Sequence, residues 1–129
     1  PAALAAASGD ELGQLGLVRQ RQAAIHALAQ AVSSGQISLH AGADVAATMD
    51  ALKALPGIGA WTADYIALRA LRWPDAFPSG DMALQKALAP EGQRLTARAA
   101  ESRAERWRPW RAYAVIRAWH SPLHSLSTQ

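Results

Sequence analysis

The run Leu55-Pro56-Gly57-Ile58-Gly59 lies between two stretches whose apolar residues recur at three and four, and nothing else constrains the fold as tightly. On its N-terminal side Asp44 is placed to cap a helix carrying Val45, Met49 and Leu52. On its C-terminal side a helix from about Ala60 to Arg72 presents Ala63, Ile66, Ala67 and Ala70 on one face. Two helices joined by a glycine turn of this length must fold back on each other, and a Gly-x-Gly entry leaves backbone amides free at the start of the second helix.

The rest of the chain reads the same way. Alanine and leucine dominate, β-branched residues are sparse and no strand pattern survives, so the expected fold class is all-α. Ser8 and Glu11 have the form of a capping box opening a helix to about Leu15, ended by Gly16. A helix from about Val18 to Ser34 carries Ile25, Leu28, Ala29 and Val32 on one side. A proline-rich loop spans Trp73 to Gly80, Asp81 opens a short helix to Leu88, and another helix runs from Thr96 to Trp107. Pro109 starts the last helix at its favoured first position, with Ala112, Val115, Ile116 and Trp119 as the buried stripe. Arg106, Arg108, Arg111 and Arg117 supply charge around its start and flank, and the tail after Ser121 is expected to be loose.

Composition narrows the function. The 129 residues, half of them apolar, suffice for one domain, taken as residues 1–129. The absence of cysteine removes iron-sulfur clusters and thiolate zinc sites, and the four histidines, at 26, 40, 120 and 124, lack ligand spacing. No run of about twenty apolar residues and no signal-peptide pattern is present, so a soluble, cytoplasmic protein is expected. A net charge of +3 and an isoelectric point near 10.0 point to an acidic partner, and composition alone does not separate DNA from an anionic membrane. The opening Pro1-Ala2-Ala3-Leu4 reads as the edge of a longer chain.

The hairpin offers phosphate contacts at Gly57 and Gly59, where the backbone can approach closely and the helix dipole favours an anion. Such contacts position a protein on duplex DNA without reading its sequence. An isolated Pro-Gly-x-Gly would more simply be a tight turn; likewise Asp81 alone would be an N-cap, and Trp61, Tyr65 and Trp119 would be core.

The surroundings decide between these readings. Leu55-Pro56-Gly57-Ile58-Gly59-Ala60-Trp61-Thr62-Ala63, followed by Asp81 in Phe77-Pro78-Ser79-Gly80-Asp81, resembles the helix-hairpin-helix (HhH-GPD) DNA glycosylase superfamily. The hairpin falls at about residues 52–66, and the Gly/Pro loop with its aspartate at 73–81. Trp61-Thr62-Ala63-Asp64-Tyr65 and Trp107-Arg108-Pro109-Trp110-Arg111-Ala112-Tyr113-Ala114 look most like the 3-methyladenine DNA glycosylase II subfamily.

That resemblance implies a helical bundle, incomplete at its N-terminus, which is the C-terminal part of a base-excision enzyme acting as a monomer on duplex DNA with alkylated bases. With it comes the expectation of a nucleoid-associated protein with no membrane partner. It implies Asp81 as the catalytic carboxylate and Trp61, Tyr65 and Trp119 as the base-binding walls. Gly57, Gly59 and Thr62 become DNA-backbone contacts. No cofactor is implied, except that the carbonyls of Lys53, Leu55 and Ile58 would hold a structural Na⁺ or K⁺. Bifunctional members carry a lysine where this chain has Trp61, so the expected chemistry is monofunctional hydrolysis. Two alternatives remain at this point: a non-catalytic hairpin module that only grips DNA, and a bifunctional lyase recruiting Lys53 or Lys86. Asp50, Asp64 and Asp75 are expected to be solvated, and Trp107 and Trp110 to act as packed braces rather than site residues.

Overall fold

A computed structural model of the chain describes residues 1–120. Eight α-helices follow one another among the described residues, with no strand: α1 (Ala2–Ala6), α2 (Gly9–Gln14), α3 (Arg19–Ser33), α4 (Val45–Ala54), α5 (Ala60–Arg69), α6 (Met82–Ala87), α7 (Ala97–Ala104) and α8 (Arg111–His120). A single 3₁₀ turn, Glu105–Trp107, extends α7. The all-α reading therefore holds, and the expected loose tail lies outside the described residues.

Local chemistry sets the boundaries where it was expected to. Ser8 Oγ accepts from the Glu11 amide while Glu11 reaches back to the Ser8 amide at 2.7 Å, closing the capping box of α2. Asp44 caps α4 through the Ala47 amide, Asp81 caps α6 through Leu84, and Thr96 caps α7 through Ala99. Each cap meets one of the donors that a helix start leaves unpaired. At the far end the expectation fails: α8 begins at Arg111, not at Pro109, which follows a cis peptide bond and sits in the turn before the helix.

Two apolar clusters hold these elements. One gathers Ala31 and Ile37 beneath the hairpin with Leu52, Ile58 and Ala63, so α3 supports both arms of α4–α5. The other packs Ala67, Leu68 and Leu71 against Phe77, Leu84, Ala100, Ala104, Ala112 and Val115. Because α5 contributes to both, Ala63 to the first and Ala67 to the second, it is the spine on which the hairpin and the aspartate loop are set relative to each other. The small side chains of α5, α7 and α8 at these contacts bring the helices close, so later polar groups meet across short distances.

Candidate active site

The loop from Trp73 to Gly80 is fastened at both ends. At its start Asp75, only 6% exposed, receives Arg111 Nε at 2.8 Å and Nη2 at 3.1 Å, and its carbonyl accepts Nη2 at 2.9 Å. Arg108 also donates to the Asp75 carboxylate, while Arg111 Nη1 reaches Glu101 at 2.6 Å. The Ala112 amide donates to Pro74 O at 2.9 Å. At the loop's end the buried Gln85 side chain donates to Ser79 O at 2.8 Å. Those ties fix α6 and α8 against one loop, and thereby fix Asp81 against Trp119.

Here the structure corrects the sequence reading at three residues. Asp75 is buried in an ion-pair network rather than solvated, and Arg111 is 4% exposed rather than part of a charged flank. Burial opposes the charge of Asp75, but the Arg111 hydrogen bonds and the two guanidinium charges outweigh it and hold the carboxyl below its ordinary value. Asp64 departs as well: burial, helped by Glu101 and opposed by Lys53 and Arg111, pushes it up to about 6. It faces an open cleft of about 400 Å³ shared with Asp50, Lys53, Glu101 and Arg111. Only Asp50 behaves as expected, exposed and 3.7 Å from Lys53.

Asp81 and the three aromatic residues do come together. Trp61 Nε1 donates to Asp81 Oδ2 at 3.0 Å, and Trp119 Nε1 donates to Oδ1 at 3.1 Å. The Leu84 amide donates to the same Oδ1 at 2.7 Å. Burial alone would raise the Asp81 pKa, but the Leu84 amide, the Trp119 and Trp61 indoles and the Ala83 amide together bring it below an aspartate's ordinary value. A carboxylate offers about four lone-pair sites, so these donors occupy most of them and fix its plane. The cap role and a role at the site are thus filled by one side chain at once.

Trp61 stacks on Tyr65 at 5.3 Å between centroids with planes 19° apart, as residues four apart on a helix can. Tyr65 meets Trp119 at 5.8 Å and 40°. Trp61 is 43% and Tyr65 37% exposed, so together with Trp119 they form an open aromatic face beside the carboxylate. The sequence reading missed Arg69, whose guanidinium carbon lies 5.6 Å from the Tyr65 centroid and 5.8 Å from that of Trp119. The signal was available, since Trp61, Tyr65 and Arg69 are spaced at four and four along α5.

The two hairpin glycines differ. Gly57 has φ +76°, and a Cβ there would fall 2.9 Å from Ala24 Cβ of α3. Its lack of a side chain is therefore required by the fold. Gly59 is the N-cap of α5 in extended conformation (φ −87°), makes no side-chain cap, and has open space where a Cβ would be. The first amides of α5, at Ala60, Trp61 and Thr62, start from that open point. Among the carbonyls considered for an alkali ion, Leu55 O accepts the Ile58 amide at 3.3 Å, and Lys53 lies in the last turn of α4, where carbonyls lack helical partners. This oxygen donor set fits a hard cation.

Trp107 is braced by Arg106 at 5.1 Å, as expected, but Trp110 is largely exposed and meets Tyr113 edge-on at 6.0 Å. Lys86 is exposed on the last turn of α6. No helix among the described residues is long and apolar enough to cross a membrane, and none of their His, Asp or Glu side chains cluster as metal ligands.

The hairpin, the loop-borne aspartate and the aromatic face lie within the stretch of chain that is similar to known proteins. The chain is 36% identical over 121 residues to DNA-3-methyladenine glycosylase 2 of Escherichia coli, covering 94% of this chain and 42% of that protein. It is 39% identical over 115 residues to a probable bifunctional transcriptional activator/DNA repair enzyme AlkA of Mycobacterium tuberculosis, covering 89% of this chain and 23% of that protein. A DNA-3-methyladenine glycosylase of Bacillus subtilis is 36% identical over 66 residues, 22% of its length. No family model matches the chain. The chain thus spans less than half the length of these curated relatives, and over that part it is similar to proteins described as DNA-3-methyladenine glycosylases and as a probable DNA repair enzyme.

Proposed function

We propose that this chain carries the catalytic region of a base-excision DNA glycosylase that hydrolyses the N-glycosidic bond of alkylated bases. The observation that carries the reading is the Asp81 carboxylate, kept ionised by hydrogen bonds on both oxygens, beside an open face of Trp61, Tyr65 and Trp119. An anion fixed in this way stabilises the positive charge that grows on the sugar as the glycosidic bond lengthens. Water then completes the hydrolysis. A base alkylated on a ring nitrogen is already a cation and leaves without a general acid, so one carboxylate suffices.

The base must first rotate out of the duplex, at an unstacking cost of a few kcal/mol that damage lowers. The aromatic face receives it by stacking. Gly59 and the amides of Ala60, Trp61 and Thr62 hold a backbone phosphate, with Gly57 shaping the turn from behind. An alkali ion on the carbonyls of Lys53, Leu55 and Ile58 would stiffen that turn and add positive charge beneath the phosphate. Monofunctional chemistry is favoured because Trp61 stands at the lysine position of the bifunctional members, Lys53 pairs with Asp50, and Lys86 is a surface residue of α6.

The test is release of methylated purine from alkylated duplex DNA by the chain and by Asp81→Asn. Asparagine keeps the cap, so folding and DNA binding are expected to persist while release falls by about 10²–10³-fold. Equal release by both would overturn the reading. Binding without release by either would instead favour a module that only grips the duplex.

A further inference from the structure

The aromatic face that would receive a flipped base already holds a cation of the chain's own. Arg69 closes the ladder Trp61, Tyr65, Arg69 on α5, and its guanidinium lies within 6 Å of two of the three ring centroids. Trp61 and Arg69 stand four residues before and after Tyr65, and both meet its ring. Trp119 flanks both Tyr65 and Arg69. No carboxylate among the described residues pairs with Arg69; its guanidinium lies over the rings of Tyr65 and Trp119 instead.

We propose that Arg69 sets the charge preference of the site. It discounts the attraction of the aromatic face for a cationic base, so that a base is held by its flat stacking surface more than by its charge. This rests on the glycosylase reading of the same site. The argument is electrostatic. A ring face attracts a cation through its quadrupole, and the ring faces next to a resident guanidinium offer a second cation that attraction minus the repulsion of two like charges. A neutral base loses nothing to this repulsion and stacks on the exposed indole of Trp61 as before. The Asp81 carboxylate, on the indoles of Trp61 and Trp119, adds the same negative charge whether or not Arg69 is present, so a change at Arg69 alone reads the contribution of the guanidinium.

The experiment compares the chain with Arg69→Gln and Arg69→Lys in two assays at neutral pH. In the first, 1-methyladenosine, a cation, and adenosine, its neutral analogue, are titrated into each protein and followed by the indole N–H resonances of Trp61 and Trp119. Arg69→Gln is expected to raise the preference for the cation over the neutral nucleoside about tenfold, and Arg69→Lys to leave it near the parent's. A preference within twofold of the parent in Arg69→Gln overturns the proposal. In the second, release of 7-methylguanine and of hypoxanthine from matched duplexes is measured; the ratio of the two rates is expected to move the same way, and an unmoved ratio likewise overturns it. Failure of the parent to release any base would count against the glycosylase reading, while the nucleoside titration would still decide the role of Arg69.

Discussion

The unequal surroundings of Gly57 and Gly59 separate folding from DNA contact. In Gly57→Ala the new side chain adopts φ +76°, a left-handed conformation that costs an L-residue about 1–2 kcal/mol. Its Cβ also lies 2.9 Å from Ala24 Cβ, well inside the 3.5–4.0 Å of an ordinary carbon contact, and parting the hairpin from α3 adds about 1–3 kcal/mol. The stiffer unfolded chain returns about 0.4–1 kcal/mol. The expected net loss is about 1–4.5 kcal/mol, centred near about 3, or about 4–17 °C in melting temperature for a chain of this length. In Gly59→Ala the conformation is ordinary and the space is empty, so stability is expected to move by less than about 0.5 kcal/mol. Its methyl group would instead stand where a phosphate approaches, and loss of one charge-assisted amide contact is expected to weaken duplex binding about tenfold. Urea denaturation and fluorescence anisotropy with a labelled duplex measure the two effects. Equal stability of Gly57→Ala and the parent would refute the packing argument, and unchanged affinity of Gly59→Ala would refute the phosphate contact.

Three further outcomes are expected. Asp64, raised to about 6, binds its proton more tightly folded than unfolded, so it destabilises the native state above that pH; Asp64→Asn should gain about 1–2 kcal/mol at pH 7 after allowance for its partial exposure, and nothing near pH 4, as read by urea midpoints. For Asp75 the sign is reversed: its lowered pKa contributes stability at neutral pH that is lost as acid protonates it, and Asp75→Asn, by leaving buried Arg111 with Glu101 as its remaining close counter-charge, should cost about 3 kcal/mol at pH 7 in the same assay. Arg108→Gln removes a formal positive charge, yet Asp75 and Glu105 already engage that guanidinium, so the salt dependence of duplex binding should keep its slope; a slope smaller by about one would show Arg108 on a phosphate.

Local rules carried the sequence reading where the determinant is local. Ser8, Asp44, Asp81 and Thr96 each cap the helix they were expected to open, because a cap needs only one side chain and an amide three residues on. The hairpin was legible because glycine, proline and the flanking periodicities all demand the same turn. Asp75 was misread because its partners Arg108 and Arg111 lie 33 and 36 residues away, and no local pattern separates a buried aspartate from a solvated one. Arg111 was misread for the same reason in reverse, since an arginine at a helix start normally faces water. Pro109 was placed by a statistical preference for the first helical turn, whereas the contacts of Trp107 and Trp110 put a tight turn there instead, with the Trp110 amide donating to Trp107 O at 2.7 Å.

The buried pair also explains how an open, exposed candidate site keeps a fixed geometry. Asp81 stands on a six-residue helix that no isolated peptide would keep, and Trp119 stands near the end of a different helix. Their 3.1 Å hydrogen bond requires α6 and α8 to hold their relative position. Arg111 locks the first residue of α8 to the start of the loop, and Gln85 of α6 grips the carbonyl of Ser79 at the loop's end. The loop is therefore the strut between the two helices, and its prolines shorten the range of shapes it can take. Arg108 and Arg111, which looked like part of a nucleic-acid footprint, serve this internal purpose, so under the proposed function the hairpin amides would carry a larger share in holding a phosphate than the net charge alone would indicate.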